Sequence, residues 1–377
     1  MVAHISFLPV EILQYIFILA QARDCIFFEY PQIIQNARVA AALSYTCQHW
    51  RAVALGMSEL WTFLSDEQYN SWDLYMKRSH PRPLVFGLAD PTLEYPLPES
   101  TERVQQIVLK VFSEGERIFD LLNSCSFLSL CTISMSGDPM SIPVPRAPDT
   151  QAIIPYPNRF LALKNLHCKN INFPVIPMFP SLVNISVDAM VMPVESALAP
   201  SASTLTHITF GASVRSWFGA RERVTLPVLK SLTLNNTPVA VAIWLITPAL
   251  KVLRLQKYVE QENLIAIKFA IAVWRNDPLA LLTEFTLHIE ATDSDDGERS
   301  FLWHMFVAFP NVRKVRWDVP NKLVSQLGSR LNDNVWTGLE DIALRVQGED
   351  ANEELLATMR KTNARELVKP YLHLYKE

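Results

Sequence analysis

The groups able to carry chemistry in this 377-residue chain are five cysteines, eight histidines and 38 carboxylates. Their spacing argues against catalysis. Cys25, Cys47, Cys125, Cys131 and Cys168 form no C-x-x-C pair. They read as reduced, mostly buried thiols of a cytoplasmic or nuclear protein. His167 and Cys168 are adjacent, so on a strand they point to opposite faces and cannot easily share a metal. His288-Ile289-Glu290 has the His-x-Glu of a zinc deaminase, but no Pro-Cys-x-x-Cys follows it. The acidic run Asp293 to Glu298 lacks the spaced oxygen ligands and final Glu of a calcium loop, and reads as solvated. Ten glycines leave little material for a phosphate-binding loop, and neither H-E-x-x-H nor G-x-S-x-G occurs. The expectation is a chain with no catalytic residue, metal or cofactor, which acts by binding.

The residues that could bind are set out by a repeat. Leu130-x-x-Ile133-x-Met135 is followed by copies starting at Leu163, Leu182, Leu205, Leu229, Leu250, Leu282, Val312 and Leu339. The spacing between the middle apolar residues runs from 19 (Leu166 to Ile185) to 33 (Ile133 to Leu166). That is the range of a leucine-rich repeat with enlarged units. Each copy holds a short strand whose alternate residues point inward, and no single copy can bury that row. The spacing therefore predicts an α/β solenoid with a parallel concave sheet and convex helices. Helices are expected over Pro238–Ile246, Glu260–Arg275, Arg299–Phe309, Lys322–Leu331 and Asn352–Val368.

The positions between the inward residues are polar: Thr132, Ser134 and Ser136 in the first copy, Asn165, His167 and Lys169 in the second, Asn184, Ser186 and Asp188 in the third. A doubly covered sheet would read as continuous Val and Ile. The pattern predicts one open, polar face. Long polar side chains cluster on its mid-to-late strands. Arg254, Gln256, Glu284, His288, Lys314, Arg316, Asp318 and Arg345 are the candidate substrate-binding residues. Their mixed signs suit a protein or peptide rather than a polyanion.

Composition agrees with a folded binder. Hydrophobic residues make up 49% of the chain and charged ones 19%, which excludes a disordered chain. A net charge of −4 gives no case for nucleic-acid binding. There is no uninterrupted apolar run of about 18 residues. The apolar N-terminus lacks a basic leader and carries Pro9 and Glu11, which argues against a signal peptide.

Upstream of the repeats, Pro9 suits the first turn of a helix, and Glu11 suits its positive end. Ile12, Leu13, Ile16, Phe17 and Ala20 then recur at helical spacing, with Tyr15, Ile18 and Leu19 apolar on other sides. Such a helix calls for a partner surface. Leu8-Pro9-x-Glu11-Ile12-Leu13, Ile16-Phe17, Thr46-Cys47-x-x-Trp50-Arg51 and Leu60-Trp61 resemble the F-box, and most closely the F-box of fungal-type F-box proteins. Thr46 stands where the family usually has Val, and Gln21–Gln35 lengthens the usual connection. The resemblance implies that Leu8, Pro9, Ile12, Leu13 and Ile16 face the Skp-type adaptor of a cullin–RING ubiquitin ligase. It also implies that Trp50 and Trp61 knit the module's own core.

Three regions are expected. Residues 1–65 form the F-box-like helical domain. Residues 66–126 hold a linker helix over Trp72–Ser79, a strand over Leu84–Leu88 and a helical entry. In that entry Val104, Ile107, Val108, Val111 and Phe112 line one helix, and Ile118, Leu121 and Leu122 line a second. Residues 127–377 form the irregular repeat domain, with a proline-rich loop over 137–158 that is either a lid or a spacer. The expected function is the substrate-recognition subunit of an SCF-type ligase. The alternative is a non-catalytic repeat scaffold whose F-box-like module is a structural cap or a ligase-independent adaptor contact.

Overall fold

The computed structural model describes residues 8–21, 28–89, 101–111, 127–137, 160–173, 179–190, 198–214, 223–237, 241, 244–258, 279, 281–289, 308–320, 339–347 and 372–374. The chain is mixed α/β, dominated by parallel strands, and divides into two compact units, Met1–Leu182 and Val183–Glu377.

The first unit opens with helices α1 (Val10–Ala20), α2 (Tyr30–Thr46) and α3 (Gln48–Gly56). A one-turn 3-10 segment, Ser58–Trp61, leads into strand β1 (Phe63–Ser65). Helix α4 (Trp72–Ser79) is followed by β2 (Leu84–Leu88), β3 (Val104–Val111), β4 (Thr132–Gly137) and β5 (Asn165–Phe173). These five strands pair in parallel in chain order.

Local chemistry sets the helix ends. The Glu29 carboxylate accepts from the backbone of Gln32, whose Oε1 accepts the Glu29 N–H at 2.9 Å, a capping box that starts α2. Cys47 turns extended and ends α2, and its Sγ accepts the Trp50 N–H at 3.5 Å to start α3. Along α2, Tyr30, Ile33, Ala37, Ala40 and Ser44 are buried at helical spacing.

That buried face lies directly on the sheet. A Cβ on Gly87 would stand 2.8 Å from Ile33 Cγ2, so only a glycine lets α2 approach this closely. Gly87 pairs in register with Val108, Val108 with Ser134, and Ser134 with His167. Helix α2 therefore lies on the outward face of β1 to β3. Thr132 and Ser134, on the neighbouring strand β4, are buried. Lys169, also on this face, donates to Glu29 Oε1 at 2.9 Å. The hydrogen bond and charge of Lys169 hold the Glu29 carboxyl below its ordinary range.

Further contacts make the helices and first strands one core. The Tyr30 hydroxyl donates to the buried Asp66, whose other oxygen accepts the Ala89 N–H at 2.7 Å. Trp72 Nε1 donates to the Ser65 carbonyl at 2.7 Å, and the Tyr75 hydroxyl to the Ala37 carbonyl at 3.0 Å. Trp61 is buried, donates to the Ala54 carbonyl at 2.9 Å and lies under the Arg78 guanidinium at 4.2 Å. Arg103 clasps the turn after α4, donating to the Met76 and Arg82 carbonyls and to Ser79 Oγ.

One expected helix is a strand. Val104, Ile107, Val108 and Val111 carry helical spacing, but they lie on β3. The cause is burial on both faces: Ile107 and Leu109 point into the repeat core, and Val108 lies under α2. A strand covered twice loses its alternation, and a short apolar run then mimics a helix. The expected helix α4 and strand β2 form over the predicted residues.

In the second unit the strands are β6 (Asn184–Met190), β7 (His207–Val214), β8 (Val224–Thr225), β9 (Ser231–Asn235), β10 (Leu245–Ile246), β11 (Val252–Tyr258), β12 (Glu284–Ile289), β13 (Lys314–Pro320), β14 (Asp341–Gln347) and β15 (Leu372–Leu374). All but β8 and β10 form one parallel sheet in chain order, and those two pair with each other. The predicted helix over Pro238–Ile246 therefore ends as a strand at Leu245–Ile246, where the Val224 and Leu226 N–H groups find the Trp244 and Ile246 carbonyls. Glu260–Arg275, nearly all of Arg299–Phe309, Lys322–Leu331, Asn352–Val368, the Ile118–Leu122 stretch and the proline-rich 138–158 lie outside the described residues.

The middle apolar residues align across this unit: Ile185, Ile208, Leu232, Leu253, Phe285, Val315 and Ile342 are cross-strand neighbours in turn. The three apolar residues of each copy from Leu130 to Trp317 are buried. A turn recurs ahead of the strands. The N–H of Leu163, Leu182, Leu229, Leu250 and Leu282 bonds the carbonyl three residues earlier, at 3.0 to 3.4 Å. Proline fills the next position in Phe179-Pro180, Leu226-Pro227 and Thr247-Pro248, where its fixed φ suits such a turn. The turn's first residue is itself buried at Phe127, Phe160, Phe179, Leu226, Leu279 and Phe309. Among the described residues, no helix is long and apolar enough to cross a membrane.

Gly87→Ala should push Ile33 off β2 and lower stability by about 1–3 kcal/mol. Urea unfolding of the full chain measures this, and an unchanged midpoint would mean that α2 does not rest on Gly87.

Candidate functional site

Two surfaces stand out, one in each unit. The first is the outer side of α1. The Pro9 carbonyl accepts the Ile12 and Leu13 N–H groups at 3.1 Å each, and Glu11 faces the positive helix end. The far end is pinned by Gln21, whose buried amide donates to the Asn36 carbonyl at 3.1 Å and the Leu60 carbonyl at 2.9 Å. The start is held by His49 Nε2 against the Leu8 carbonyl at 3.1 Å. The rotation of α1 about its axis is thereby set from both ends.

That rotation divides the predicted contact residues. Leu13 is fully buried with Phe17, whose ring lies 5.1 Å from that of Trp50. Leu13 therefore belongs to the module's interior, and its place in the predicted contact set is corrected. Leu8 is half-buried and Pro9 exposed. Ile12 is 47% exposed, Tyr15 63%, Ile16 38% and Leu19 64%. Their spacing of three, four and seven makes one apolar ridge along α1. Val10 and Ile18 flank it, both exposed. Tyr15 and Leu19 belong to this ridge although the sequence motif does not include them. The signal that finds them is the helical period itself.

The second surface is the outward face of the second unit's sheet, between the inward residues. The register sorts it into three rows. The first runs Asn184, His207, Ser231, Val252, Glu284, Lys314, Asp341. The middle row runs Ser186, Thr209, Thr233, Arg254, Thr286, Arg316, Ala343. In the third, Asn235 faces Gln256, and further along His288, Asp318 and Arg345 are neighbours.

All eight predicted substrate-binding residues lie on these rows. Register also pairs several of them with each other. Lys314 Nζ lies 3.5 Å from Glu284 Oε1, and His288 Nδ1 lies 3.0 Å from Asp318 Oδ2. Glu284, Lys314, His288 and Asp318 are thus partly consumed by cross-strand pairing. Gln256 is half-buried beside Asn235, and Arg345 stands opposite Asp318 in register. Arg254 and Arg316 have no ion-pair partner among the described residues.

The polar face of the first unit is different from the one expected. Thr132 and Ser134 are buried, Thr132 Oγ1 accepts from Asn165 Nδ2 at 3.0 Å, and Lys169 is engaged by Glu29, so this stretch is not open. The clue in the sequence was Val108, an apolar residue that breaks the polar row. Among the described residues, no three His, Cys, Asp or Glu side chains come together as metal ligands.

His207, on β7, accepts or donates to Thr206 Oγ1 at 2.8 Å. Partial burial holds its imidazole below the usual histidine range, and Lys230 and Arg254 add to the effect. Folding therefore disfavours the His207 proton. The folded chain keeps its full stability above about pH 6.5 and loses some as pH falls from there through the lowered folded value. The ring is largely exposed, so the effect is small. His207→Gln should flatten that slope in urea midpoints taken between about pH 7.5 and pH 5. An identical slope in the variant would remove His207 as a source.

No protein-family model matches the chain, and no curated protein matches it.

Proposed function

We propose that this chain is the substrate receptor of an SCF-type cullin–RING ubiquitin ligase. In this reading residues 1–65 are an F-box-like module that docks on the Skp-type adaptor. The parallel strands form an irregular leucine-rich-repeat solenoid, and its outward face holds a protein substrate. The receptor has no catalytic residue of its own. It acts by proximity, raising the effective concentration of substrate lysines beside the charged conjugating enzyme.

The observation that carries this reading is the ridge of Ile12, Tyr15, Ile16 and Leu19, exposed on a helix whose rotation is pinned at both ends. Each such side chain gains roughly 1.5–3 kcal/mol on full burial. A contiguous apolar ridge of this kind is the usual mark of a protein partner. The Leu-Pro-x-Glu-Ile-Leu start and the Cys-x-x-Trp-Arg segment support the choice of a Skp-type adaptor as that partner. The polar outward face of the second unit supports a protein substrate.

The second reading is an interaction scaffold whose helical module serves as a structural cap. One observation favours it: α2 is spent covering β1 to β3, so part of the module already has a structural task. The two readings differ at α1, which a mere cap would have no need to leave apolar and exposed.

Co-expression with a Skp-type adaptor, followed by size-exclusion chromatography, tests the proposal. The native chain should elute as a stable one-to-one complex. Ile12→Asp with Ile16→Asp should reduce adaptor affinity by at least about a hundredfold while leaving the unfolding midpoint unchanged, since both side chains are exposed. Native-like binding by the double variant would overturn the assignment. Adaptor binding without ubiquitin transfer in a reconstituted ligase would favour the scaffold.

A further inference from the structure

We propose that the outward face of the second unit takes an acidic peptide in extended form, with carboxylates seated on Arg254 and Arg316 across the central row of the sheet. This rests on the reading of that face as the substrate site, and it adds the class of substrate.

The charge arrangement is the basis. In the outer rows, polar side chains pair between neighbouring strands: Glu284 with Lys314 as an ion pair, and His288 Nδ1 with Asp318 Oδ2 at 3.0 Å. The central row carries no acid. Its charged residues are Arg254 and Arg316, separated by Thr286 and continued by Thr233 and Thr209. Neither guanidinium has an ion-pair partner among the described residues. Lys230 and Arg254 also depress the His207 proton affinity, so the positive potential reaches β7.

A guanidinium offers a planar fork of donors that fits a carboxylate with two parallel hydrogen bonds. The Thr233 and Thr286 hydroxyls on either side of Arg254 can each donate one more. Arg254 and Arg316 stand two strand spacings apart, about 10 Å. An extended peptide in the polyproline II form rises about 3.1 Å per residue and returns to the same face every three residues, so acids three residues apart match that distance.

The same geometry disfavours a phosphorylated residue. A phosphoryl group carries nearly two charges and is usually met by a cluster of arginines. Here each arginine stands singly. Glu284 and Asp318 lie on the strands of Thr286 and Arg316 and would repel a dianion more than a carboxylate.

The test uses the full chain bound to its adaptor, or the free chain if no adaptor complex forms, with fluorescein-labelled peptide pools read by anisotropy. One pool holds two glutamates three residues apart in a Ser/Ala/Leu background, a second replaces them with glutamines, and a third with phosphoserines. The glutamate pool should bind at least about tenfold more tightly than the glutamine pool, with affinity falling as salt rises. Arg254→Gln and Arg316→Gln should each weaken it by about tenfold. Lys77→Gln, an exposed position on α4 of the first unit, should change it little. Equal binding of the glutamate and glutamine pools, no binding by any pool, tighter binding of the phosphoserine pool, or indifference to both arginine variants would each overturn the proposal. Loss of adaptor binding with peptide binding intact would instead count against the ligase reading alone.

Discussion

Every strand in this protein depends on a neighbour to bury its inward leucines. A copy such as Leu229-x-x-Leu232-x-Leu234 has three large apolar side chains on one side of a short strand, and nothing within the copy covers them. Parallel pairing in register answers this. It sets Leu232 beside Ile208 and Leu253, and continues the row through Phe285 and Val315. A one-residue slip would turn every leucine outward, so the register is strongly specified. The turns ahead of the strands serve the same end. Their buried first residues, Phe160, Phe179 and Phe309 among them, fill the core beside the strands, and the Phe160 and Phe179 rings meet edge to face at 5.7 Å.

The other side of the sheet is treated in two ways. In the first unit α2 lies on it, and the packing is close enough to demand a glycine at position 87. The residues of this face are small or uncharged, as Val108, Ser134 and Thr132 are, and they are buried from water. In the second unit the positions between the inward residues hold Arg254, Lys314, Arg316 and Asp318, and their neighbours are set by register. One strand pattern thus supports a sealed surface and a polar one. What differs is the size and charge of the residues between the leucines.

The helical module joins these requirements. Its interior side is committed to the sheet through Ile33, to Asp66 through Tyr30 and to α4 through Tyr75, while α1 presents its apolar ridge outward. Gln21 links the two roles. Its side chain ties the end of α1 to α2 and to the turn before β1, so anything that grips the ridge also pulls on the core of the first unit. A partner bound to α1 would therefore be held rigidly with respect to the first strands, as the proposed ligase receptor requires.

The sequence alone determined the period. Leucine spacing marked each strand of the repeat, the polar positions between leucines marked a second face, and Pro9, Glu11 and the apolar run after them marked α1. These are local signals, because strand alternation and helix periodicity follow from backbone geometry. The tertiary structure alone decided what covers what. Val104 to Val111 carried a helical spacing because two separate elements bury β3, and no local pattern reports a distant helix. Leu13 and Ile12 are equally apolar neighbours, but only the pinning of α1 by Gln21 and His49 turns one inward and the other to solvent. The outward charges were visible one by one. That Glu284 meets Lys314, while Arg254 and Arg316 have no ion-pair partner among the described residues, follows from strand register, a property of the folded sheet and not of any single strand.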